Sequence, residues 1–192
     1  MDFTNKKILV TGAGRGLGKV IATQFAEAGA QVAIHFNSSK KEAEQAVLEL
    51  KGEGHFSIQA DLKNPDSVKI LFDNVVERFG KIDVLINNAA VILYHPIAEV
   101  SYEEWQKAWN ETITVNLQAA ANLCFCVAQE MKNTGGGRIV NVSSRGAFRG
   151  EPDMPAYGAS KAGMNAMSQS LAMALAKWNI FVGTVAPGFI ET

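Results

Sequence analysis

Short apolar runs alternate along the chain with longer segments in which apolar residues recur every three or four positions. Residues 7–10 (Lys7-Ile8-Leu9-Val10) read as a buried strand, followed by a glycine-rich turn and a helix over 17–28 that Gly29 terminates. A second strand is predicted over 31–36, then a charged amphipathic helix over 40–51 ending at Gly52. A third strand follows over 56–60, and a helix over 66–79 closed by Gly80. The fourth strand, 82–86, runs into Asn87-Asn88-Ala89-Ala90. Residues 102–131 read as one long helix or two in succession, broken by Gly135-Gly136-Gly137. A fifth strand over 138–142, a long helix over 155–177 and a sixth strand over 180–185 complete the series. This alternation implies right-handed crossovers and a parallel sheet covered on both faces, a doubly wound α/β fold.

Length and composition narrow the reading further. A chain of 192 residues with 47% hydrophobic and 19% charged residues fits one globular domain, and no repeat, linker or low-complexity stretch divides it. Eighteen Lys and Arg against nineteen Asp and Glu give a net charge of -1, which argues against a nucleic-acid partner held through phosphates. No apolar run is long enough to span a bilayer, and the N-terminus lacks a signal-peptide core, so the expectation is a cytoplasmic protein with no membrane partner. Cys124 and Cys126 lie two apart on a predicted helix and point to different faces, which excludes a disulfide framework and suits a reducing compartment. His35, His55 and His95 have no partners at metal-ligand spacing, so no metal site is expected.

The turn after the first strand reads Thr11-Gly12-Ala13-Gly14-Arg15-Gly16-Leu17-Gly18. A helix N-terminus offers unpaired N–H groups and a positive dipole end, and glycines let a pyrophosphate approach the backbone. A Walker loop is excluded by Ala13 and Val20, and G-x-G-x-x-G fails because Leu17 stands at its last glycine. The pattern present is T-G-x-x-x-G-x-G; glycines serving only strand-helix packing are the alternative. Tyr157 and Lys161, at i and i+4, project from one face of the helix after the fifth strand. A tyrosine ordinarily titrates near pH 10, and a neighbouring ammonium favours its phenolate, which makes an acid/base group usable near neutrality. Surface helices also carry Y-x-x-x-K by chance.

Ser143-Ser144, Asn87-Asn88-Ala89-Ala90 and Pro187-Gly188 end the fifth, fourth and sixth strands, on the one edge where ligands bind in such sheets. Together with the glycine turn and Y-G-A-S-K, these motifs resemble the short-chain dehydrogenase/reductase family, in order and spacing closest to 3-oxoacyl-[acyl-carrier-protein] reductases. The resemblance covers the whole chain and implies a Rossmann fold. It implies a nicotinamide-dependent oxidoreductase that moves a hydride between cofactor and a carbonyl or secondary alcohol. Tyr157 would exchange the proton, Lys161 would hold the nicotinamide ribose and lower the tyrosine pKa, Ser144 would hold the substrate oxygen, and Asn116 would support a water relay to the lysine.

For the cofactor, the resemblance implies Gly12, Arg15, Gly16, Leu17 and Gly18 at the pyrophosphate turn, with Asp61 and Leu62 at adenine. Asn88 and Ala89 would line the adenosine ribose and pyrophosphate, and Pro187, Ile190 and Thr192 the carboxamide end. Asp61 also reads as a plain helix cap, and Asn116 as a polar residue that kinks a helix. Ala90 stands where relatives carry glycine. The end of the second strand, His35-Phe36-Asn37-Ser38-Ser39-Lys40, carries no carboxylate to repel a 2′-phosphate. Arg15 can form charge-assisted bonds there, with Ser38, Ser39 and Lys40 as further donors, so NADP(H) is expected over NAD(H), although Asn37 can also serve a bare ribose.

Relatives continue beyond Thr192, so the resemblance implies a chain lacking the family's C-terminal part, with the sixth strand left as an unprotected edge. The substrate expected is a small-molecule or acyl-carrier-bound carbonyl, and homo-oligomers (tetramers or dimers) are expected through the long helices holding Cys124 and Met164. A sugar or polyol dehydrogenase with the same machinery is the alternative substrate reading. A non-catalytic dinucleotide-binding redox sensor is the alternative of another class, and Ser144, Tyr157 and Lys161 together argue against it.

Overall fold

Successive residues of a strand point to opposite faces, and in Ile8-Leu9-Val10 all three are fully buried, so both faces of the sheet must be covered. The computed structural model, which describes residues 1–190, shows how. Its strands are β1 (Lys7–Val10), β2 (Gln31–Phe36), β3 (Phe56–Gln59), β4 (Val84–Asn87), β5 (Gly137–Val142) and β6 (Ile180–Val185). They pair in parallel in the order β3-β2-β1-β4-β5-β6, with β3 and β6 at the edges. Strand order therefore reverses between β1 and β4, and a crevice opens at their carboxyl ends.

The helices are α1 (Gly16–Glu27), α2 (Lys40–Leu48), α3 (Pro65–Phe79), α4 (Tyr102–Ile113), α5 (Ala119–Thr134), α6 (Gly146–Arg149) and α7 (Pro155–Leu175). One face of the sheet presents Leu9, Leu85, Ile139 and Ile180 to Val68, Leu71 and Val75 of α3 and Leu123, Val127 and Met131 of α5. The other face presents Ile8, Val10, Ile34, Val84 and Ile86 to the small residues Ala22 and Ala26 of α1 and Ala43 and Ala46 of α2. Local signals set the ends of these helices. Asn64 accepts the Asp66 and Ser67 N–H groups ahead of Pro65, and Gly80 closes α3 in the left-handed region. Ser101 and Glu104 form a reciprocal capping box at α4.

Several expectations shift in detail; the long helix expected over 155–177 ends at Leu175 and passes into a 3₁₀ turn, Ala176–Trp178. The second helix stops at Leu48, because the Glu49 and Leu50 N–H groups turn back to the carbonyls of Ala46 and Val47, three residues earlier, and tighten the last turn. The fourth strand lies further along than 82–86, since its pairing runs from Val84 opposite Arg138 to Asn87 opposite Asn141. The segment 102–131 is two α-helices joined without a break by a π-helical turn, Thr114–Gln118, which holds Asn116. Helix α6 is a single turn of four residues that no local pattern in the sequence predicts. Among the described residues, no helix is long and apolar enough to cross a membrane.

Candidate active site

The glycine turn is fixed from two sides. Thr11 Oγ1 accepts the N–H groups of Asn88 and Ala89, each at 3.0 Å, and Asn88 Nδ2 donates back to the carbonyls of Thr11 (2.8 Å) and Gly12 (3.1 Å). These bonds hold β1 and β4 together at the reversal of strand order. The approach leaves no room for side chains: a Cβ on Gly18 would lie 2.5 Å from Asn88 Nδ2 and from the Gly12 carbonyl oxygen. On the other side the Gly12 N–H donates to His35 Nδ1 at 3.1 Å, and His35 Nε2 bonds to the Ala60 carbonyl at 3.1 Å. His35 is thus an Nε2–H tautomer bracing the turn against the ends of β2 and β3. Burial holds its pKa down to about 4.

In front of the turn lies an open cleft of about 750 Å³. Gly12, Arg15, Gly16, Leu17 and Gly18 line one wall, Asn37, Ser38, Ser39, Asp61 and Leu62 another, and Asn88, Ala89 and Ala90 the floor. Helix α1 begins at Gly16 with no side-chain cap, so its first-turn N–H groups are left for a ligand. Asp61 is not the cap of α3, a duty Asn64 performs; its Oδ1 accepts the Lys63 N–H instead. Lys40 does not line the cleft and pairs with Glu44 at 3.7 Å. An extended dinucleotide fits this set of residues, with an uncapped helix end at its centre and polar groups at one extremity.

Beyond the cleft, β5 and α7 bring the remaining candidates together. Lys161 is 1% exposed; its Nζ donates to the Val142 carbonyl at 2.7 Å and sits 5.8 Å from the centre of the Tyr157 ring. Burial lowers its pKa to about 8, which leaves it a cation at neutral pH. Ser143 is buried and donates to the Lys161 carbonyl at 3.2 Å. Ser144 is half-buried, and its oxygen accepts the Gly146 N–H at 3.1 Å, so its own proton is free to donate. Fully buried Asn116 bonds through its side chain to both the N–H (2.8 Å) and carbonyl (3.0 Å) of Val91. It also donates to Ser160 Oγ, which in turn donates to the Tyr157 carbonyl at 2.7 Å. The π turn and the polar contacts of Asn116 therefore occur at the same place. Pro187 accepts the Arg145 N–H at 3.0 Å and Ile190 is 46% exposed; Thr192 lies outside the described residues.

The comparisons with known proteins agree with this architecture. The family model for short chain dehydrogenases matches residues 6–192. The chain belongs to the short-chain dehydrogenase family. As a member, it is an oxidoreductase acting on CH–OH or carbonyl groups. It is 39% identical over 188 residues to the 3-oxoacyl-[acyl-carrier-protein] reductase FabG of Staphylococcus epidermidis, covering 97% of this chain and 75% of that protein. It is 38% identical over 194 residues to GalD of Rhizobium meliloti, assigned as a galactose dehydrogenase, covering 100% of this chain and 74% of that one. A crystal structure from Sinorhizobium meliloti, assigned as a short-chain alcohol dehydrogenase, superposes with a TM-score of 0.90 at 30% identity, covering 100% of this short-chain dehydrogenase and 75% of the other chain.

In sequence His35 and His95 stand out only as histidines without partners at metal-ligand spacing, and the structure gives both a bracing role. Each is a polar residue inside an otherwise apolar stretch, which is a signal; the partners Gly12, Ala60 and Ala156 are 23, 25 and 61 residues away in the chain, which local pattern does not reveal.

Proposed function

We propose that the protein is an NADP(H)-dependent ketoreductase of the 3-oxoacyl-[acyl-carrier-protein] reductase type. The observation that carries the chemistry is the buried Lys161 cation 5.8 Å from the Tyr157 ring; Ser144, just past the end of β5, has a hydroxyl proton to give. In reduction Tyr157 gives its proton to the substrate oxygen, and Ser144 holds that oxygen by a hydrogen bond. The positive charge of Lys161 favours the negative charge that builds on the tyrosine oxygen as the proton leaves. Asn116 fixes the backbone at Val91 and, through Ser160, at Tyr157, so it holds the site's two walls in register. The dinucleotide, when bound, supplies or accepts the hydride; the α1 N-terminus, Asn88, Ala89 and Lys161 hold it, with Asp61 and Leu62 at the adenine end.

The preference for NADP(H) rests on charge. Arg15 and Ser38 line the same cleft, the segment Asn37-Ser38-Ser39 has no carboxylate, and among the described residues Arg15 makes no ion pair. A sugar or polyol dehydrogenase with the same machinery is the second reading, favoured by the likeness to GalD. The exposed Phe125 and Met173 support assembly of copies through the faces of α5 and α7 that carry them, whereas Cys124 and Met164 on the same helices are buried within one chain. The test of the mechanism is Tyr157→Phe: dinucleotide binding is retained, and turnover of a 3-oxo ester falls by orders of magnitude. Wild-type turnover in that variant would reject the assignment.

A further inference from the structure

Helix α7 starts at Met154-Pro155 with no side-chain cap of its own, yet Tyr157 sits in its first turn, where free N–H groups make a helix prone to fray. The missing acceptor comes from far along the chain. His95 Nε2 accepts the Ala156 N–H at 3.2 Å, and the ring's Nδ1, 2.7 Å from the Leu93 carbonyl, donates to it. One tautomer, with the ring proton on Nδ1, satisfies both bonds. The His95 backbone N–H also donates to the Asp153 carbonyl at 2.9 Å, so the segment after β4 is tied to α7 twice. The ring is 1% exposed and packs edge-on against Trp105 of α4, with centroids 5.5 Å apart. Three elements meet on this imidazole, and the group it restrains adjoins Tyr157.

We infer that His95 is a positioning residue for proton transfer: its imidazole caps the N-terminus of α7 and so fixes the place of the Tyr157 hydroxyl relative to Lys161 and Ser144. Reaction rate is steep in such placement, because a displacement of about 1 Å costs on the order of a hundredfold. His95 is not among the residues that line the cleft, so the cap is expected to act on turnover and not on dinucleotide affinity. The inference rests on the proposed role of Tyr157.

Two substitutions separate the ring's two bonds. His95→Asn places an amide near the Nδ1 position, keeping the Leu93 bond and losing the cap; His95→Gln places one near Nε2, keeping the cap. Both are measured on the full chain for NADPH binding by fluorescence, for reduction of ethyl acetoacetate, and for hydrogen exchange at the Ala156 amide. The expected result is a kcat at least about tenfold lower in His95→Asn, near-parental kcat in His95→Gln, and unchanged NADPH affinity in both. The Ala156 amide exchanges fast in the Asn variant alone. Equal kcat in the two variants, a kcat loss matched by weaker NADPH binding, or equal Ala156 exchange in all three proteins would overturn the inference. Its failure is separable from failure of the underlying reading, since the latter shows as an active Tyr157→Phe enzyme while the former leaves that variant inactive.

Discussion

The imidazole of His35 accepts the Gly12 N–H at 3.1 Å, so the turn facing the cleft is held by a side chain that is itself only 2% exposed. The bond requires an unprotonated Nδ1, and burial lowers the pKa from 6.5 to about 4. Between those values the unfolded chain binds a proton that the folded chain refuses, so stability is fully present above about pH 6.5 and is lost as the pH falls towards 4. The whole effect is about 3 kcal/mol, of which about 2 kcal/mol falls between pH 7 and 5. His35→Asn keeps an acceptor near Gly12 without titrating. Urea unfolding at the two pH values is expected to show the parent losing about 2 kcal/mol more than the variant. Parallel losses would refute the link.

Ser143 and Ser144 are neighbours with different duties. Ser143→Ala removes a buried bond to the Lys161 carbonyl, costing about 1 kcal/mol of stability with little change in kcat. Ser144→Ala is expected to leave stability nearly unchanged and to cut kcat by about a hundredfold. Steady-state kinetics beside thermal unfolding separate the two, and the reverse pattern would reassign the substrate contact to Ser143.

Much of the fold was legible because its signals are local. Gly29 and Gly80 mark helix ends, and the apolar runs at Ile8 and Ile34 mark strands buried on both faces. The candidate cofactor positions from Gly12 to Ala89 meet at one cleft because the strand order places the ends of β1, β2 and β4 side by side. What escaped was tertiary. The caps made by His35 and His95 depend on partners from other elements, and α6 depends on Arg145 and Gly146 turning after Ser144, whose carbonyl accepts the Ala147 N–H.

Arg15 and Asn37 give the cofactor preference a two-sided test. Arg15→Ala is expected to lower the ratio of kcat/KM for NADPH over NADH by about ten- to a hundredfold, the value of one or two charge-assisted bonds. Asn37→Asp places a carboxylate at the end of β2 and is expected to move the ratio the same way by repulsion. An unchanged ratio in Arg15→Ala shows that this side chain does not contact a 2′-phosphate.

Gly18 tests the turn itself. An alanine there meets the Gly12 carbonyl oxygen at 2.5 Å and the Ala13 Cα at 2.9 Å, both backbone atoms that cannot swing aside. Gly18→Ala is expected to destabilise the fold by about 1–3 kcal/mol and to weaken dinucleotide binding further than the loss of stability explains. Calorimetry and a binding titration on the folded fraction check both parts. A variant with the parent's melting temperature and affinity would show that the turn has more slack than these distances allow.

The π turn at Thr114–Gln118 carries a consequence for sequence comparison and for engineering. Such a turn spends one residue more than an α-helical turn, so it behaves as a single-residue insertion absorbed inside a continuous helix. Deleting one residue there would restore an unbroken α-helix from Tyr102 to Thr134, at no loss of helical hydrogen bonding. It would also rotate α5 by about 100° relative to α4, because one residue is that fraction of a 3.6-residue turn. Leu123 and Val127 would then leave the sheet, and Asn116 would leave Val91. A more regular helix would thus be the worse protein, and the spacing between Trp105 and Cys124 is as much a part of this chain's signature as any of its motifs.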